Sequence, residues 1–167
     1  MYRKIEDFTA EWAEESENTL KVLRNLTDEA SGQRVTPEGR SAGRLAWHIA
    51  TSVPQLAGEA GLKGVEGTTN DQGDIPPMAE VVSTYEAAAS TLADAVRSQW
   101  SDDEMGELIP MYGEMWTKGR SLSILVGHQA HHRGQLTVLM RQAGVPVPGC
   151  YGPSREEWAT YGMPAMD

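Results

Sequence analysis

Apolar residues recur at helical spacing along four long stretches of this 167-residue chain, and the last stretch carries two histidines inside its apolar stripe. A period near 3.6, with no alternating strand pattern of any length, restricts the chain to an all-α fold. The first stretch covers residues 5–26, with Phe8, Trp12, Thr19, Val22, Leu23 and Leu26 on one face. The second starts near Ser41, a suitable N-cap, and runs to residue 56 through Leu45, His48, Ile49, Ser52, Val53 and Leu56. Pro54 is expected to kink or shorten it. The third covers residues 78–100, after the start signal Pro76-Pro77, and its alanines suit close helix packing. The fourth covers residues 122–142 and is stopped by Gly144 and Pro146.

The links are unequal. Residues 27–40 make a short connection, whereas residues 57–77 and 101–120 make long ones, the latter broken by Pro110, Gly113 and Gly119. Four amphipathic helices with long crossover loops imply a four-helix bundle, in one domain over residues 1–167. A short helix is expected over residues 154–161, where Ser154 and Glu157 match a capping box.

The chain has four histidines, His48, His128, His131 and His132. With His128 at 0° and about 100° per residue, His132 falls at about 40°, Leu139 at about 20°, Leu125 at about 60° and Leu136 at about 80°. His131 falls at about −60°, at the stripe's margin. His128 and His132 are therefore the inward pair, one turn apart on one face. Buried imidazoles need partners for their nitrogens. Two readings follow: both rings reach one metal ion, or both bond to waters or carboxylates. A third histidine ligand would have to be His48.

Composition narrows the function. Fourteen basic residues against 24 acidic ones give a net charge of −10, and no basic cluster is present. Nucleic acid is thus not an expected partner. No apolar run approaches the ~20 residues of a membrane span. Charges in the first eight residues stand where a signal peptide would need an apolar block, so a cytoplasmic protein is expected. Cys150, the single cysteine, cannot form an internal disulfide and reads as structural.

Three segments together resemble the DinB-like superfamily of small bacterial metal-binding helical bundles. They are the first helix, Leu45-Ala46-Trp47-His48-Ile49-Ala50 on the second, and His128-x-x-x-His132-Arg133-Gly134-Gln135 on the fourth. The run from Gly144 to Pro153 also resembles one branch. The resemblance covers essentially the whole chain. It implies that His48, His128 and His132 bind a divalent metal, nickel or zinc in different members. It also implies a homodimer and, in some relatives, transfer of low-molecular-weight thiols. His48 lies at the flank of its own stripe, about 80° from the centre.

Three protein ligands and an open position are the pattern of catalytic rather than structural zinc sites. Two functions follow. One is a metal-dependent thiol transferase or hydrolase acting on a small-molecule substrate. The other is a non-catalytic binding or stress-response protein with a structural metal. Gln135, at about −20° on the fourth helix, is placed to orient a group at the metal, or to serve as a core amide. Tyr112 and Trp116 are candidate pocket walls, or simply pack under a loop. Arg133, at about 140°, is expected on the surface or in an inter-subunit ion pair. Met105, Met111 and Met115 read as packing residues.

Overall fold

The computed structural model describes residues 1–165. Four long helices dominate: α1 (Ile5–Asn25), α2 (Ala42–Glu59), α3 (Met78–Gln99) and α4 (Lys118–Gln142). The start signals act as expected for α2, where the Ser41 hydroxyl accepts from the Arg44 amide at 3.1 Å. Pro54 does not end α2; the helix continues to Glu59 with Pro54 buried inside it. The start of α4 is four residues earlier than its apolar pattern shows. Thr117 caps it by accepting from the Arg120 amide at 3.2 Å, a role that needs no apolar residue.

In the bundle, α1 packs on α3 and α4, and α2 packs on α3 and α4. The helices α1 and α2 therefore stand diagonally, as do α3 and α4. Their apolar faces merge into one cluster that includes Phe8, Trp12, Leu23, Ile49, Tyr85, Leu92, Leu125, Leu136 and Met140. Trp12 keeps its indole N–H satisfied in this core by donating to the Ala89 carbonyl at 2.9 Å. No helix among the described residues is long and apolar enough to cross a membrane.

The long link between α3 and α4 departs from the sequence reading. It holds a 3-10 turn over Asp102–Gly106 and an antiparallel hairpin, β1 (Leu108–Met111) and β2 (Glu114–Thr117). The two-residue loop Tyr112-Gly113 has positive φ at both positions, 51° and 85°, as a type I′ hairpin turn requires. Gly113 adopts this freely, but Tyr112 does so against its β-carbon. The strands are only four residues long, and Pro110 argues against strand by local rules. The usable signal was Gly113 between Ile109-x-Met111 and Trp116-Thr117.

The tail also differs. Only Trp158–Tyr161 forms a 3-10 turn, not a helix over 154–161. Half of the expected capping box is present. The Glu157 carboxylate accepts from the Ser154 amide at 3.0 Å and from the Gly149 amide at 3.0 Å, while the Ser154 hydroxyl is buried without a partner. This clasp folds the tail back upon itself, and Gly149 sits where a β-carbon would fall 2.2 Å from the Gly152 carbonyl oxygen.

Candidate metal centre

Side-by-side packing of α2 and α4 brings His48 against His128 and His132. Gln129 fixes the register between these helices. Its amide donates to the Ile49 carbonyl at 3.2 Å and to the Ser52 hydroxyl at 2.9 Å, and Gln129 and Ile49 are the next residues along from His128 and His48. The three rings meet nearly edge to face. His48 and His132 are at 90° with centroids 4.7 Å apart, and His128 and His132 at 75° with centroids 4.4 Å apart. The His128 Nε2 lies 3.3 Å from the His48 Nε2 and 3.2 Å from the His132 Nε2.

The outer nitrogens are already engaged. The His48 Nδ1–H donates to the Asp71 carboxylate at 3.0 Å. The His132 Nδ1–H donates to the Gln135 carbonyl oxygen at 2.8 Å, and the Gln135 amide donates in turn to the His131 Nε2 at 3.1 Å. Both rings thus turn an Nε2 lone pair towards the centre. His128 has no such partner, because its Nδ1 is buried and unbonded. A proton on that Nδ1 would leave a buried donor unmet and three lone pairs facing one another. A proton on its Nε2 would serve one neighbour well and leave the Nδ1 lone pair unmet. A cation between the three Nε2 atoms removes the facing lone pairs. Zinc–imidazole bonds are about 2.0–2.1 Å, so two nitrogens on one ion stand roughly 2.9 Å apart at a right angle and about 3.4 Å at the tetrahedral angle. The two contacts made by the His128 Nε2, 3.2 and 3.3 Å, fall between these limits, and all three ligand atoms lie within 4.8 Å of one another. The donor set therefore fits a divalent ion that takes nitrogen ligands.

The surroundings favour the neutral form of His128 and His132, which is the ligand form. Burial pushes the His128 pKa down to about 4, helped by the charges that His132, His48, His131 and Arg40 would present. Burial also lowers His132, against the Gln135 hydrogen bond. The Asp71 carboxyl is held below its ordinary value, first by the Gln72 amide and then by the His48 ring. Asp71 comes from the long link between α2 and α3. Arg44, on α2, grips that link by donating to the Asp71 and Gly73 carbonyls.

Two expected outcomes follow. Asp71→Asn should weaken divalent-ion binding by about 10–100-fold at unchanged stoichiometry, the usual effect of removing an outer partner of a ligating histidine. Isothermal titration checks this, and equal affinity in both proteins would show that the carboxylate is incidental. The second concerns acid. An unfolded imidazole takes a proton near 6.5, whereas folded His128 does so only at about 4. Between these values the unfolded chain binds more protons, so metal-free protein should lose stability as pH falls through that window. Urea midpoints at pH 7 and pH 5 measure the slope, which His128→Asn should flatten. An unchanged slope in that variant would assign the acid sensitivity to other groups.

Other sequence-selected residues lie elsewhere. His131 is exposed and outside the cluster, as the wheel indicated. Tyr112 and Trp116 pack on each other at the hairpin, with centroids 5.9 Å apart. Arg120 stacks over Trp116, and neither aromatic is on the wall of the groove beside His132. Met105 and Met111 are buried packing residues, while Met115 is half exposed. Cys150 rests against α1 with its sulfur 3.8 Å from the Asn18 carbonyl oxygen, and burial pushes its thiol pKa up. Arg133 contradicts its expected surface position. It is buried and bonded to Glu15 at 2.7 Å, because α4 has a second buried side that faces α1. Asp71, Gln129 and Glu15 were missed altogether.

Fold and site together define a helical bundle with a three-histidine metal-type cluster joining two of its helices. The DinB family model matches residues 1–165. The chain therefore belongs to the DinB family. It is 37% identical over 166 residues to the protein YrdA of Bacillus subtilis (strain 168), a match that spans 99% of this chain and 98% of that one. A DinB-like protein of Bacillus cereus ATCC 10987, solved by crystallography, superposes with a TM-score of 0.86 at 39% identity, covering 90% of this chain and all of the other. The DinB-like protein YjoA of Bacillus subtilis shares the fold at a TM-score of 0.64 and 19% identity, over 84% of this chain and 96% of its own.

Proposed function

We propose that this DinB family protein holds one divalent ion, nickel or zinc, at His48, His128 and His132, and uses it in a transferase or hydrolase reaction on a small molecule, with a low-molecular-weight thiol as co-substrate. The observation that carries the reading is the convergence of three histidine Nε2 atoms from two helices, with no fourth protein ligand among the described residues. A bound ion would supply Lewis acidity and favour the deprotonated form of a thiol or water beside it. The chain's own residues do the rest. Asp71 and Gln135 fix the tautomers of His48 and His132, and Gln129 sets the spacing of the helices that carry them.

A second reading, a binding or stress-response protein with a structural metal, is favoured by one feature: the cluster ties α2 to α4, and the Asp71 carboxylate beside it is engaged by His48. Chelation separates the two. Metal content is measured on protein purified without chelator or added nickel, followed by a thiol-transfer screen with small electrophiles. A catalytic metal gives an apo form that stays folded, since four helices already share a core, and has no turnover. Cooperative unfolding on chelation at room temperature, without turnover beforehand, would assign the structural role.

A further inference from the structure

A groove of about 460 Å³ opens beside the histidine cluster. Its volume is within the range of small-molecule sites. His132 and Gln135 form part of its wall, Leu45, Val138, Leu139 and Val35 supply the apolar surface, and Gly39 and Arg40 complete the rim. Val35 is 66% exposed and Val138 52% exposed, so apolar side chains border the groove without being covered.

Arg40 is the one arginine on the groove's lining. Arg24, Arg97, Arg133 and Arg141 each pair with a carboxylate, and Arg34 and Arg44 hold carbonyl oxygens, while Arg3, Arg120 and Arg155, like Arg40, have no such partner among the described residues but lie away from the groove. The Arg40 guanidinium has no carboxylate or carbonyl partner among the described residues, in a chain whose net charge is −10. Its charge nevertheless reaches Asp71, His128 and His132. Its backbone is fixed on both sides. The Gly39 amide donates to the Thr36 carbonyl at 3.0 Å, Arg34 grips the Gly39 carbonyl, and Ser41 caps α2. An anchored, unpaired guanidinium over an apolar groove is suited to a carboxylate, which it can bind through two parallel hydrogen bonds.

We propose that this groove binds a small molecule with an apolar body and a terminal carboxylate, the carboxylate on Arg40, the body between Val35 and Val138, and the far end at His132. The last clause rests on the reading of the three histidines as a reactive centre; the first two do not. The surplus of acidic residues elsewhere would repel such an anion, so its selection falls to Arg40 locally.

Two measurements test the assignment separately from the metal. First, metal-free protein is titrated with hexanoate and with hexanamide while the methyl signals of Val35, Val138 and Leu139 are followed by NMR. Hexanoate should shift these signals with at least about tenfold higher affinity than hexanamide, and Arg40→Gln should level the two. Equal affinities in the native protein, a preference that survives in Arg40→Gln, or shifts mapped elsewhere would overturn the proposal. Shifts of the same methyls on dilution, with no response to hexanoate, would assign the groove to a second copy of the chain and overturn it too. Second, cobalt-loaded protein is given 6-mercaptohexanoate. A sulfur-to-cobalt charge-transfer band would place the far end of the ligand at the cluster. Methyl shifts without that band would leave the groove assignment standing and sink the link to the reactive centre. Cobalt binding without methyl shifts would do the reverse.

Discussion

Replacing His128 or His132 by Ala should abolish stoichiometric divalent-ion binding, while His131→Ala should leave about one equivalent per chain. The contrast is sharp because the three residues are neighbours in sequence and differ only in direction. His128 and His132 present Nε2 atoms 3.2 Å apart at the α2–α4 seam, whereas His131 is exposed, packs on the outer side of the His132 ring and bonds to Gln135, and contributes no nitrogen to the cluster. Loss of one of three ligands leaves two imidazole nitrogens, and the affinity drop should exceed the roughly 10–100-fold expected for an outer partner. His48→Ala should behave like the fourth-helix pair. Metal analysis after dialysis against nickel or zinc gives the answer. Equal loss from His131→Ala would show that the ion sits on a different pair. Retention of a full equivalent by His128→Ala would dismiss the three-histidine centre.

The second large effect belongs to stability. Arg133→Met should destabilise the metal-free protein by about 3–5 kcal/mol, because it strands the buried Glu15 carboxylate. At this chain length a loss of about 1 kcal/mol lowers Tm by roughly 2–4 °C, so a fall of about 6–20 °C is expected. Arg133 donates to the Glu15 carboxylate at 2.7 Å, to the Thr19 hydroxyl at 2.9 Å and to the Glu15 carbonyl at 3.1 Å, and also contacts the Tyr151 hydroxyl. Tyr151 in turn donates to the same carboxylate at 2.9 Å. The pair thus ties α1, α4 and the tail together. The double variant Glu15→Met with Arg133→Met should regain much of the loss, since an apolar pair of similar volume leaves no charge without a partner. Thermal unfolding of the two variants at pH 7 measures both. A drop under about 1 kcal/mol in the single variant would mean that water reaches Glu15.

The helices and the inward aim of His128 and His132 were legible because both depend on local periodicity, and α4 keeps that period across the site. The same periodicity misled for Arg133. A wheel with one narrow apolar stripe assigns Arg133 to solvent, but α4 has two neighbours, and its side towards α1 is buried with an ion pair in it. His48 came with the family resemblance, since its place at the edge of its stripe did not by itself decide its direction. Asp71 was invisible for a different reason. It lies in a link with no period, and only Arg44's grip on two carbonyls in three dimensions selects this acid from those around it. The hairpin was hidden by its shortness and by Pro110.

The histidines that meet at the α2–α4 seam are far apart in the order of synthesis. Everything ahead of His128 contains one histidine, His48, and the other three are clustered between His128 and His132. A growing chain that has completed α1, α2 and α3 can therefore offer an ion a single imidazole, too few to chelate. The site comes into being only when α4 leaves the ribosome and docks. If an ion binds there, it is met by the packed bundle and not by a helix still emerging alone, because the docking of α4 completes the core and the donor set in one step.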